Sequence, residues 1–183
     1  MTRPRIVLGP NGAYWVTADA ARGMPVFQAP WAAELLIVTL AYFRQALGFK
    51  LYAYCVLPSS FEAVIQPGDA RVVHGSGENK KEGPLTISKI MMELKGSFAH
   101  WYNRRIGRTG SVWEKRFKDR TLLNAQEIQA AAVMVHASPV ILGLADKPEL
   151  YPHSGLSAPR NPIRTLDTLA VRAGEVPVAV KAA

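Results

Sequence analysis

Residues 53–67 read AYCVLPSSFEAVIQP. Aliphatic, aromatic and β-branched residues lie on either side of Pro58-Ser59, which is the composition of two strands joined by a tight turn. The upstream strand extends back into FKLYAYCVL. It is apolar on nearly every residue, which predicts a strand central in its sheet. The downstream strand, FEAVIQ, is expected to pair antiparallel with it. Side chains at i and i+2 of a strand share a face, so Ser60 and Glu62 project together.

Upstream of this hairpin, AYWVTA at residues 13–18 has strand composition, and ARGMPVF carries a turn before Phe27. Pro30 suits a first helical position, Trp31, Leu35, Val38 and Tyr42 recur at helical spacing, and Gly48 supplies a stop. Downstream, PGDARVVHGSGENKKEG is rich in Gly and charge without a period. It reads as a mobile loop, with disorder expected at GSGENKKEG. Thr86 then caps a helix whose apolar face runs Ile87, Ile90, Met91, Leu94, Phe98, Trp101 and Tyr102, reaching about Arg105. The stretch RRIGRTGSVWEKRFKDRTLL reads as a Gly-punctuated turn, a short strand at SVW and a basic strand or extended arm toward Leu123. Asn124 with Glu127 three residues later opens a further helix, expected through about residue 136 and closed by Pro139. These elements predict an α+β sandwich over residues 1–156. Residues 157–183 read as a Pro/Ala-rich tail, loose despite the alternating Val and Ala near its end.

The chain has 183 residues, 49% of them hydrophobic and 20% charged, enough for one domain with a full core. The longest apolar stretch, residues 29–40, is broken by Glu34 and too short to span a bilayer, and MTRPRIVLGP lacks a signal-peptide core. A cytoplasmic, nucleoid-associated protein is expected. Cys55, the single cysteine, sits in an apolar strand and reads as a buried inert thiol. No phosphate-binding glycine loop, CxxC pair, HExxH or internal repeat is present. The four histidines, His74, His100, His136 and His153, have no metal-like spacing and read as surface or interface residues.

Twenty-two Lys and Arg against fourteen Asp and Glu give a net charge of +8. Residues 89–120 hold nine basic and three acidic residues, and so six of the eight excess charges. A charge run is often only a solvated face. Here Lys89, Lys95, Arg104, Arg105, Arg108, Lys115, Arg116, Lys118 and Arg120 are spaced to track a phosphate backbone, and Trp113 offers a ring for an unpaired base.

Four blocks carry a family likeness: AYWVTADAARGMPVF, GFKLYAYCVLPSSFEAVIQP, GRTGSVWEKRFKDRTLL and ASPVILGLADKPELYPHS. With Gly110-x-x-Trp113-x-x-Arg116-Phe117 and Pro139-Val140-x-x-Gly143-Leu144 in the same order, the chain resembles the single-strand-DNA transposases of the HUH endonuclease superfamily. Within it, the REP-associated tyrosine transposases and their insertion-sequence relatives are most similar. The resemblance implies a four- or five-stranded antiparallel sheet flanked by helices, the ferredoxin-like HUH endonuclease fold. It also implies two histidines on one strand holding Mg²⁺ or Mn²⁺, and a late-helix tyrosine that attacks the scissile phosphate.

On this chain the family's Met-Pro-Asn-His-hydrophobic-His run falls on Leu57, Pro58, Ser59, Ser60, Phe61 and Glu62. The tyrosine falls on Met134, and the third metal ligand on Ser138. A thioether cannot replace a phenolate, and two serines with one carboxylate make a weak ligand set, so no metal and no cofactor are expected. Glu62 alone reads as a solvated or paired carboxylate, and Met134 as apolar filling. The expectation is a catalytically inactive, transposase-like protein binding hairpin or single-stranded DNA through its basic surface, with RNA and a homodimer left open. Two alternatives are an active nicking enzyme using Glu62 and a relocated tyrosine, Tyr14 or Tyr102, and an interaction module without nucleic-acid affinity.

Overall fold

A computed structural model of the chain describes residues 12–75, 79–157, 162–163 and 165–169. The elements that organise it are β1 (Ala13–Asp19), α1 (Pro30–Leu47), β2 (Lys50–Leu57), β3 (Ser60–Gln66), β4 (Arg71–His74), β5 (Lys81–Pro84), α2 (Ile87–Ile106), β6 (Lys118–Leu122) and α3 (Ala125–Ile141). Four strands form an antiparallel sheet in the order β2-β3-β1-β6. It is the α+β architecture expected from the sequence.

The helix ends follow the sequence signals. Pro30 opens α1, and Gly48, with φ 68°, closes it in the left-handed region. Thr86 Oγ1 accepts from the Lys89 backbone N–H at 3.2 Å, and Asn124 Oδ1 accepts from that of Glu127 at 2.9 Å. Pro139 does not end α3, because it sits in the last turn and the helix runs on to Ile141. Closure comes at Gly143, φ 68°, whose N–H donates to Val140 O (2.9 Å) while the Leu144 N–H donates to Pro139 O (2.8 Å). That pair of bonds satisfies the terminal carbonyls as a Schellman motif does.

Three other expectations are corrected. β2 lies at the edge of the sheet, not at its centre. Its apolar run reports burial on both faces, and its open edge is covered by later chain: Val56 N–H donates to His153 O (2.8 Å) and Gly155 N–H to Tyr54 O (2.9 Å). Asp167 N–H donates to Leu51 O at 2.9 Å, further along the same edge. The segment expected to be a loop holds a small antiparallel hairpin, β4–β5, with residues 71–74 paired to 84–81. Both strands are short and carry charge, so neither has the apolar alternation by which a strand is read. The SVW stretch contributes only a single bridge, Ala20 to Trp113, and no strand of its own.

The sheet buries two cores. One face carries Val16, Ala18, Leu51, Tyr54, Phe61 and Ile65 against α1 and α2, which bring Leu36, Leu40, Ile90, Leu94 and Phe98. The other carries Ala13, Tyr52, Ala53, Cys55, Val64 and Leu122 against Ile128, Ala131 and Val135 of α3. Of the four α1 residues read as its apolar stripe, Val38 and Tyr42 face solvent; Ala33, Leu36, Ile37 and Leu40 do the packing instead. Among the described residues no helix is long and apolar enough to cross a membrane. The Val/Ala alternation at the end of the tail, like the N-terminal residues 1–11, lies outside the described residues.

Candidate functional site

Ser60 and Glu62 occupy alternate positions of β3, while Phe61, Ala63 and Ile65 between and beyond them enter the α1–α2 core. The two polar side chains therefore face α3. β1 runs beside them in register, with Asp19 opposite Ser60 and Thr17 opposite Glu62; β6 follows, with Lys118 opposite Thr17 and Arg120 opposite Trp15. Because Leu122 faces α3, so do Arg120 and Lys118 on the same strand.

From the helix, Ser138 reaches down. Its Oγ–H lies 2.7 Å from Glu62 Oε2 and 3.1 Å from the Met134 carbonyl one turn earlier. Three residues chosen from sequence are thus brought together across α3 and β3. Burial pushes the Glu62 carboxyl above its usual range and the Asp19 charge adds to this, while the Ser138 hydrogen bond opposes it. Next to the pair, Cys55 is fully buried, and its thiol is pushed up to about 12 by burial and then by the Glu62 charge. It is an inert thiol, as its sequence context suggested. Among the described residues no three His, Cys, Asp or Glu side chains cluster as metal ligands would.

Met134 lies 46% exposed on the wall of a cavity of about 120 Å³ that also involves Trp15 and Arg120. His136 turns the other way: a Cβ added at Gly155 would lie 3.3 Å from its ring, its Nδ1 has no hydrogen-bond partner among the described residues, and burial lowers its pKa against the opposing pull of Glu149. His153 is likewise half-buried and lowered by burial, so of the surface or interface settings expected from sequence these two have the interface one. Tyr14 is nearly buried and its phenol is raised, first by burial and then by Asp119. Tyr102 is stacked on Trp31 at 5.4 Å. Neither has the setting of an activated nucleophile.

The basic residues are divided between environments. Lys89 is paired with Glu93, and Lys95 donates to the Glu114 carbonyl at 2.9 Å, with its pKa lowered by burial. Arg104 and Arg105 lie over the rings of Trp101 and Trp31, at 5.8 and 4.5 Å from the centroids. Arg108 donates to Ser111 O at 3.3 Å, and Lys118 pairs with Asp19 at 2.8 Å. Lys115, Arg116 and Arg120 are exposed and make no ion pair among the described residues. Lys95 of α2 and Lys118 of β6 both feel the Asp19 carboxylate.

Trp113 is not available to a base. Only 5% exposed, it packs against Phe27 and Phe98 at 5.4 and 5.3 Å, and its Nε1–H donates to Lys95 O at 3.0 Å. The residues that sequence reasoning missed are Trp15 and Thr17, which had only the alternation of β1 to mark them and no pattern to say which face would hold the site.

A solved structure described as a REP-associated tyrosine transposase bound to a REP hairpin superposes with a TM-score of 0.63 at 17% identity, covering 84% of this chain and 82% of that one. The chain has the fold of a REP-associated tyrosine transposase. A second solved structure, a candidate transposase from Deinococcus radiodurans R1, aligns at a TM-score of 0.43 and 15% identity over 79% of this chain and 98% of its own. No protein-family model and no curated protein matches the chain. Within the transposase fold, the face built here from β3, β1, β6 and α3 is where the sequence resemblance had put the cleavage chemistry.

Proposed function

We propose that this chain is a transposase-derived protein that holds structured single-stranded nucleic acid, foremost a DNA hairpin with an unpaired flank, and does not cut it. The observation that carries this reading is the shared fold, over most of both chains, with a transposase bound to a hairpin. Charge supports it, since +8 overall and the exposed cations Lys115, Arg116 and Arg120, without an ion pair among the described residues, favour a polyanion.

Loss of cleavage is argued from chemistry. Glu62 is the one carboxylate among the four family positions, and its Oε2 already accepts the Ser138 hydroxyl. Burial favours its protonated form, the opposite of what a metal ligand needs. The residues present do not fit Mg²⁺ or Mn²⁺, and Met134 supplies no oxygen to attack a phosphate.

The test is a titration of a labelled DNA hairpin by fluorescence anisotropy across salt concentrations, run beside an RNA hairpin of the same stem. Replacing Lys115, Arg116 and Arg120 together by Ala is expected to weaken binding at least tenfold and to reduce the log–log salt slope by about two to three. Unchanged affinity refutes the assignment of these cations, and no binding at low salt refutes the reading. Incubation with Mg²⁺ or Mn²⁺ followed by denaturing gels is expected to leave the hairpin intact; a covalent protein–DNA adduct overturns the inactive reading.

A further inference from the structure

Just after β1 the chain turns at residues 20–23, and Arg22 in that turn has φ 57° and ψ 27°. Among the described residues it is the only one other than glycine with a positive φ. A Cβ crowds the neighbouring carbonyl in this left-handed region, so the conformation is costly for arginine and open to glycine. The surroundings impose it. Ala20 N–H donates to Ser59 O (2.8 Å), Ala21 N–H to Val112 O (2.9 Å) and Arg22 N–H to Glu114 Oε1 (2.8 Å), while Glu114 N–H donates to Asp19 O (2.9 Å). These bonds pin the turn to β1, to the start of β3 and to residues 112–114, and a glycine at position 22 would satisfy them with less strain.

An arginine held in a glycine's conformation calls for a reason outside the turn. Arg22 is exposed and makes no ion pair among the described residues, so neither burial nor a salt bridge accounts for it. The same hydrogen bonds set it beside other cations. Glu114, whose carboxylate takes the Arg22 N–H, is followed directly by Lys115 and Arg116, both exposed and without an ion pair among the described residues. Resting on the reading that the chain holds nucleic acid, we propose that Arg22 is a phosphate-binding residue of that surface, placed beside Lys115 and Arg116 by its left-handed backbone. The strain is tolerated because a guanidinium offers five donors in a fixed fork to a phosphate, and glycine offers none from a side chain. Strain kept at a binding residue is the pattern by which such outliers point to function.

The test separates strain from contact, because Arg22→Gly should move stability and affinity in opposite directions. Relief of the backbone is expected to raise the melting temperature by about 1–4 °C. Loss of the guanidinium is expected to weaken binding of a DNA hairpin with a single-stranded flank about two- to fivefold at about 0.1 M salt, and to flatten the log–log salt slope by about one. Arg22→Lys keeps a cation at the same place and should restore the slope. Lys81→Ala, on the separate β4–β5 hairpin, removes one exposed charge without touching the turn and should weaken binding less than Arg22→Gly. Equal losses in those two variants would mean that Arg22 acts through net charge alone, and would overturn the inference. So would a melting temperature of Arg22→Gly below that of the parent, since the arginine would then be stabilising its own turn. Unchanged affinity of Arg22→Gly overturns the assignment and leaves hairpin binding standing, whereas failure of the parent to bind any hairpin at low salt overturns both.

Discussion

The two faces of the sheet are built from different materials. On the α1–α2 side the rings of Phe27, Phe98 and Trp113 pack mutually at 5.3–5.4 Å, with Phe61, Leu36 and Leu94 buried around them. On the α3 side the helix meets the sheet through Ile128, Ala131, Val135 and Pro139, and a Ser138–Glu62 hydrogen bond crosses the seam. Large interlocked rings give one face its bulk, while the other closes on the sheet through smaller residues and one polar contact.

The largest effect follows directly. Phe98→Ala is expected to lower unfolding stability by about 3–5 kcal/mol, whereas Val135→Ala on the α3 side should cost about 2 kcal/mol, the transfer of two methyl groups with a small cavity. Urea unfolding monitored by circular dichroism measures both. Equal losses would mean that the α3 face is packed as tightly as its opposite, and the comparison would fail.

What could be read in the sequence divides along a similar line. The hairpin of β2 and β3, the start of α1 at Pro30 and the Thr86 and Asn124 caps are local signals, set by a few adjacent residues, and they were legible. The place of β2 at an edge was not, because its seven consecutive buried residues record contacts from α1, α3 and the chain beyond residue 150. Trp113 misled for a related reason: the residues that follow it in sequence are charged, and Phe27 and Phe98 from distant elements make it core. At the site, the pairing of Glu62 with Ser138 across 76 positions was legible only through the family likeness, and Trp15 not at all.

Between the two faces lies the β2 edge, where a smaller effect is expected. Asp167 Oδ2 accepts from the Leu51 N–H at 2.7 Å and from Arg44 Nη2 at 2.8 Å. Asp167→Ala strips that acceptor from an edge strand and should cost about 1–3 kcal/mol. Arg44→Lys, which keeps charge but loses the guanidinium fork, should cost less. A neutral Asp167→Ala would show that the β2 edge does without this cover. On the aromatic side, Trp113→Phe should reduce the melting temperature yet leave hairpin affinity within twofold at temperatures where the variant is folded. A selective loss of affinity would return Trp113 to the binding surface.

The smallest effect concerns the polar seam itself. Burial and the Asp19 charge raise the Glu62 carboxyl, so the folded protein favours the protonated form and bears a penalty for the charge at neutral pH. For an acid raised in the folded state, its stability contribution is full below the unfolded value, about 4.3 for a free glutamate, and is lost as the pH rises through the higher folded value. Glu62→Gln keeps an oxygen for the Ser138 hydroxyl and removes the charge. Its melting temperature should therefore lie above that of the parent at pH 7, with the gap closing as the pH is lowered below about 4. A variant less stable than the parent at pH 7 would mean that the Glu62 charge has a partner on this face, with Lys118 of β6, one strand beyond Thr17, the first to examine. The seam would then still hold an organised charge pair, and the contrast between a packed face and a depleted one would narrow.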